Sequence, residues 1–308
     1  MPASLALHCV AESSPPQSWI RIGSDGLSAR INPLGAELSS LQDREGGELM
    51  TDADPAFWSG RAPLLFPIVG QLRHDQYRLG DQIYDLEKHG FARRQQFELV
   101  EQDDHRVLFR LAATDETRAQ YPFEFVLTMA FEIAGDQLRM TATIINTGEK
   151  PMPFSFGFHP AFAWPLPYDS VAEDHQVIFT KPEPAPIRRI GIEPGLIEAE
   201  HHDSPVVDNI FSPRFAHFDD DAIIWDELQS RALSWGGPGD PVLDIEFPDT
   251  PMLGIWQKPG ARYLCIEPWA GMADPVGFEG DFTEKPGIMI LDSGAEQSFR
   301  MNIRLKES

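Results

Sequence analysis

Apolar and polar positions alternate along most of this chain, and runs with helical spacing are scarce. In "FEFVLTMAFEI", Phe123, Phe125, Leu127, Met129, Phe131 and Ile133 fall on one face. "AGDQ" then reads as a turn, and Leu138, Met140, Ala142 and Ile144 continue in phase through "LRMTATIIN". The same signal predicts a hairpin of "QFELV" and "RVLFRLAA" around "EQDDH", and a second of "LGIWQ" and "RYLCIE" around "KPGA". "IMILDSGAEQSFRMNIRL" predicts a closing pair of strands around "SGAE". The segment 219–232, "DDDAIIWDELQSRA", fits a helical turn as well as a strand.

With 27 prolines and 24 glycines, turn residues recur throughout. Many strands broken by frequent turns predict an all-β, antiparallel sandwich or barrel-like sheet rather than a parallel α/β fold. The stretch from Trp164 to Pro213 is rich in proline and charge and predicts long surface connections. No linker divides two hydrophobic patterns, so residues 1–308 are read as one domain, with about 1–18 loosely attached.

Composition narrows the function classes. A formal net charge of -23, from 48 acidic and 25 basic residues, opposes binding to a phosphate backbone or an anionic membrane. Cys9 and Cys265 are too far apart in sequence, and too few, for a disulfide framework or a CxxC site. The N-terminus lacks a basic region ahead of its short apolar run, and no apolar run approaches the roughly 20 residues of a membrane span. A cytoplasmic protein is the expectation.

Candidate chemistry comes from three residues. His89 lies in "LEKHGFARR" beside Arg93 and Arg94. His159 ends "SFGFH", where Phe154, Phe156 and Phe158 share one face and Ser155, Gly157 and His159 the other. Glu267 lies in "RYLCIEPW", on the parity of Tyr263 and Cys265; Pro268 has no N–H for a ladder, so pairing is expected to stop there. Each has an ordinary structural explanation when taken singly. If the three meet, they can bind a divalent metal or divide acid and base roles without one. No HxH or HExxH spacing supports the metal, and there is no P-loop, GxGxxG or GxSxG. His201 and His202 read as surface residues of an acidic loop.

"RAPLLFPIVGQLRHDQYRLGDQIYDLEKHGFARRQQFELV", "FSFGFHPAFAWPL", "DDAIIWDELQS" and "CIEPWAGMADP" occur in that order. Together they resemble the aldose 1-epimerase (mutarotase) family, from about Trp19 to the C-terminus. The resemblance implies a galactose mutarotase-like antiparallel β-supersandwich with few short helices and an open sugar-binding cleft. It implies Glu267 as general base, His159 as general acid, and His89 as a second active-site histidine contacting the sugar. Asp221 matches a substrate-binding aspartate. Where family members carry an arginine this chain has Gln71, able to bind a sugar hydroxyl but uncharged. Arg61 and Arg93 match arginines that relatives acting on hexose 6-phosphates use for the phosphate.

The implied activity is interconversion of α and β anomers of an aldohexose, with no cofactor and no metal. The alternatives are a hexose-6-phosphate mutarotase and a non-catalytic carbohydrate-binding protein. The implied partner is a small-molecule sugar, with no nucleic acid and no membrane, and the chain is expected to be a monomer or homodimer. On this reading Ser155 and Gly157 leave room for a sugar ring, and a carboxylate beside an imidazolium favours both charged states.

Overall fold

The structure is a computed structural model and describes residues 19–191 and 195–307. The N-terminal segment expected to be loose, with Cys9, lies outside the described residues. Two antiparallel sheets dominate. The larger has nine strands, in the order Ile210–Phe211, Gln176–Phe179, Ala232–Gly236, Val242–Glu246, Glu296–Lys306, Gln137–Asn146, Phe125–Ala134, Arg106–Ala112 and Glu98–Gln102. In the smaller, Ile223–Trp225, Met252–Trp256, Tyr263–Ala270, Phe156–Phe158 and Leu64–Leu65 are neighbours, and Ala161–Ala163 pairs with Tyr263–Ala270 off that path. The α-helix Asp115–Gln120 is the only one among the described residues. None of the described helices is long and apolar enough to cross a membrane. The all-β, antiparallel architecture with few short helices expected from the sequence is the one observed.

The long hairpin forms as its alternation dictates. Ala134 pairs with Gln137 across the turn, and Phe125, Leu127, Met129, Phe131 and Ile133 are buried with Leu138, Met140, Ala142 and Ile144. A one-residue slip would turn every one of these side chains to the opposite face. The hairpins Glu98–Gln102 with Arg106–Ala112, and Met252–Trp256 with Tyr263–Ala270, also form.

Three expectations are corrected. The last two strands do not pair with each other: Met289–Leu291 pairs with Met152–Phe154, and Glu296–Lys306 with Gln137–Asn146 and Val242–Glu246. Buried Asn146 holds the intervening turn. Its backbone N–H donates to Ala295 O, Gly294 N–H donates to its carbonyl, and its side-chain amide donates to Leu291 O. The two flanks therefore leave the turn toward different partners. The ambiguous segment 219–232 holds the strand Ile223–Trp225 instead of a helical turn. It pairs with Met252–Trp256, and tertiary pairing decides it.

Pairing also continues through Pro268, which lies opposite Leu253. Ile266 N–H donates to Pro160 O on the other side of the strand, and by alternation the nitrogen of Pro268 faces that same side. There the strand changes partner, from Ala161–Ala163 opposite residues 263–265 to Phe156–Phe158 opposite 269–270. The proline sits in the gap, where no donor is needed.

The smaller sheet has two unlike faces. Phe156, Phe158, Leu253, Ile255, Leu264 and Ile266 join the main core, and Phe156 stacks on Phe299 of the larger sheet with centroids 4.9 Å apart. The opposite face carries Leu65, Ile224 and Trp269, with Cys265 and Tyr263 alongside. Gly157 and Gly254 lie opposite Trp269 and Glu267 on the flanking strands. A Cβ added at Gly157 would stand 2.6 Å from the Trp269 ring, and one at Gly254 would stand 2.5 Å from it. The two glycines thus form a trough filled by the indole. The space beside His159 that the sequence suggested for a sugar is largely taken by this tryptophan, while Ser155 packs against Gly271.

Gly157→Ala is therefore expected to push the indole from its trough, at a cost of about 1–3 kcal/mol from overpacking. Urea unfolding checks this; an unchanged midpoint would mean that the indole does not depend on that glycine.

Candidate functional site

A cleft of about 870 Å³, counting its open mouth, lies over the second face of the smaller sheet. His89, His159, Asp221, Glu267 and Arg93 all line it, together with Lys88, Trp58, Trp256 and Trp269. The strand Tyr263–Ala270 supplies Glu267 from its buried middle. His159 follows the strand Phe156–Phe158. Its Nε2 lies 3.1 Å from Glu267 Oε2. Trp58 covers the imidazole with centroids 5.0 Å apart, and Trp256 approaches it edge-on at 6.1 Å.

The pair is removed from water: His159 is 7% exposed and Glu267 2%. Burial disfavours charge on both groups. It drives the imidazole down to about 3, with Lys88 and Arg93 adding to the fall against a backbone hydrogen bond. It pushes the Glu267 carboxyl well above its ordinary range, with Asp221 adding to the rise while Lys88 and the Trp269 indole oppose it. The two shifts together favour a proton on Glu267 over one on His159. Desolvation thus works against the carboxylate–imidazolium pair expected from sequence.

His89 is held by a different device. Its backbone has φ 66°, a left-handed conformation uncommon for a side chain with a Cβ. Its N–H donates to Gly70 O at 2.8 Å, and Gly70 N–H donates back to Nδ1 at 3.1 Å. With Nδ1 accepting, the neutral ring carries its hydrogen on Nε2. Gly70 itself has φ 75°, and a Cβ there would stand 2.5 Å from Ala273. The ring centroids of His89 and His159 are 5.6 Å apart, and burial pushes His89 well below the usual histidine range. His89 is thus a fixed, uncharged hydrogen-bond donor.

The rim carries both signs of charge. Arg93 donates from Nη2 to Lys88 O at 2.9 Å, which ties two cationic residues together on one wall. Neither has a carboxylate within 4.0 Å among the described residues. Asp221, at φ 66°, lies just before the strand Ile223–Trp225 and lines the cleft too.

Gln71 and Arg61 are not among the cleft-lining residues. The Gln71 amide donates to Asp75, and its side chain packs against Gly195, which does line the cleft. Arg61 donates to the carbonyls of Thr51 and Asp52, and its guanidinium lies over Trp19 at 5.4 Å. The arginine pair suggested for a phosphate is therefore not assembled at the cleft; Arg93 stands there with Lys88. Sequence reasoning passed over Lys88, Trp58 and Trp256. Lys88 is next to His89 in sequence, but alternation carries no information about a loop. His202 bonds Glu198 and His201 contacts Arg188, and neither histidine lines the cleft.

Comparison with known proteins shows what the chain is similar to. Residues 18–233 match the family model of aldose 1-epimerase; the strand bearing Glu267 lies beyond that match. The chain is 31% identical to the chromosomal protein LacX of Lactococcus lactis subsp. lactis, over 87% of this chain and 93% of that one. Two solved structures extend the likeness over more of the chain. A galactose mutarotase related enzyme from Lactobacillus acidophilus superposes with a TM-score of 0.86 at 29% identity, covering 94% of this chain and 97% of that one. A galactose mutarotase-like protein from Lactobacillus casei gives 0.86 at 30% identity, covering 93% and 99%. With the histidine–glutamate pair facing a cleft on this sheet, the match over most of its length means that the chain belongs to the aldose 1-epimerase family.

Proposed function

We propose that the protein interconverts the α and β anomers of an aldohexose, with Glu267 and His159 as the acid–base pair. The observation that supports this most is the 3.1 Å contact of Glu267 with His159 on a cleft wall. Anomer exchange removes one proton from the C1 hydroxyl and delivers one to the ring oxygen. A pair that carries a single proton can do both. On binding, a sugar hydroxyl donating to Glu267, together with the nearby Lys88 charge, favours the carboxylate, and the shared proton then stands on His159. Glu267 takes the C1 hydroxyl proton while His159 gives its proton to the ring oxygen. The C1–O5 bond breaks, the aldehyde turns about C1–C2, and closure reverses both transfers. The site gains no net charge at any step, which suits its burial. His89, with Nε2–H free of the Gly70 contact, holds a sugar oxygen, and Asp221 accepts from hydroxyls on the opposite side.

A second reading has its own support. Lys88 and Arg93 on one wall suit a sugar bearing an anionic substituent such as a 6-phosphate, although Arg61 does not join them. Anomer-exchange NMR with glucose, galactose and glucose 6-phosphate separates the readings. Acceleration on the free sugars is expected. Acceleration on the phosphate alone would replace the first reading with the second, and sugar binding without acceleration would make the protein a carbohydrate-binding one.

Loss of either proton carrier is expected to cost about 10²–10⁴-fold in rate. Polarimetry on freshly dissolved α-glucose or α-galactose is expected to show this for Glu267→Gln and His159→Asn, with circular dichroism unchanged. Wild-type rates in Glu267→Gln would remove the glutamate from the reaction; wild-type rates in His159→Asn would move the acid role to His89.

The pH dependence follows from the same charges. Activity requires the pair to hold one proton, so the rate falls at low pH when a second binds and at high pH when the last leaves. The Lys88 cation disfavours the first event and favours the second. Lys88→Met is therefore expected to move both limbs of the rate–pH profile to higher pH. A profile that stays in place would show that the Lys88 charge does not act on the pair.

A further inference from the structure

The same strand that carries Glu267 places Cys265 two residues earlier on the same face. Donor atoms of His159, Cys265 and Glu267 all lie within 4.8 Å of one another, and all three residues are buried. His89 is not part of this group. Three atoms at such separations fit within a circle of at most about 2.8 Å radius, against zinc–donor distances of roughly 2.0–2.3 Å. Small side-chain adjustments therefore bring all three to bonding distance of one ion.

We propose that His159, Cys265 and Glu267 form a capture site for a soft divalent cation of the zinc or cadmium class, with its remaining position toward the cleft. The donor set selects the ion. A thiolate and an imidazole favour zinc or cadmium, while a single carboxylate offers little to magnesium or calcium, which take several oxygens. Charge balance selects it as well. Thiolate and carboxylate together neutralise a dication, so the loaded site adds no net charge to a buried region. Binding forms metal–sulfur, metal–nitrogen and metal–oxygen bonds and releases two protons, one from the thiol and one from the His159–Glu267 pair. No oxidant or reductant is needed.

The consequence for activity rests on the proposed anomer exchange: an ion here occupies both proton carriers, so the loaded protein is inactive. Cys265 takes no part in the proton transfers. Its side chain packs with Ala161, Ala261 and Tyr263 beneath Trp58 and Trp256, so Cys265→Ala is expected to keep the basal rate. Trp58 and Trp256 line the cleft and Cys265 does not, so an ion reaches the thiol only past the tryptophans or the His159–Glu267 pair.

The test is a titration of the full-length protein with cadmium, followed by cadmium–thiolate absorption in the ultraviolet and by proton release in weak buffer. Wild type is expected to bind one ion with both signals and to lose mutarotase activity in step. Loss of even an outer-shell partner typically costs about 10–100-fold in metal affinity, so loss of the sulfur is expected to cost at least that. Cys265→Ala is expected to lose the absorption and remain active at cadmium levels that silence wild type. Cys265→Val, closer in volume, serves if the alanine variant folds poorly. Cys9 is present throughout, so the difference between variants reports Cys265. No absorption in wild type, or equal affinity in the variants, would overturn the proposal. Full loading of the Cys265 site with undiminished mutarotation would uphold the site and instead overturn the acid–base assignment.

Discussion

Desolvation of His159 and Glu267 is the constraint on which the rest of the cleft depends. Two ionisable groups stand 3.1 Å apart on a sheet face with almost no contact with water. Each is expensive to charge there on its own. Held together with a single proton, they would remain neutral as a pair wherever that proton stands. The surroundings then act as fine adjustment: Lys88 and Arg93 supply positive field, Asp221 supplies negative field, and the tryptophans exclude solvent.

The smaller sheet makes this arrangement possible because its faces do different work. Phenylalanine and aliphatic side chains bind one face to the nine-stranded sheet. That packing fixes the strands firmly enough for the other face to carry polar groups. Gly157 and Gly254 let the Trp269 indole lie close to the backbone, two residues after Glu267 on the same strand. A larger residue at either position would lift the ring into the cleft. Loops complete the site from above, and the left-handed turn at His89 is held by reciprocal bonds with Gly70. The backbone strain of such a turn, of order 1–3 kcal/mol, persists where surrounding contacts over-determine it.

Proximity of Cys265 gives the same strand a second chemical character. A thiol two residues from a carboxylate is, by the geometry of a strand, on the same face of the sheet. In the proposed anomer exchange the pair keeps one proton; in the proposed cation site that proton and the thiol proton are both lost. The two proposed uses would compete for the same lone pairs on His159 and Glu267.

The sequence by itself determined the antiparallel strands, the long hairpin and the two faces around His159 and Glu267. These follow from period-two alternation, which is local and repeats over many residues. Motif resemblance placed His89, His159, Asp221 and Arg93 at one site, and all four line the cleft with Glu267. Tertiary structure decided what has no local signature. Strand partners near "SGAE" depend on Asn146, distant in sequence, and Pro268 is accommodated because its strand changes neighbours there. Gln71 and Arg61 carry suitable chemistry but find other partners, Asp75 for one and the carbonyls of Thr51 and Asp52 for the other. Whether Glu267 and His159 hold charge also lay beyond the sequence, because a pKa is set by burial and by neighbours that only the folded chain assembles.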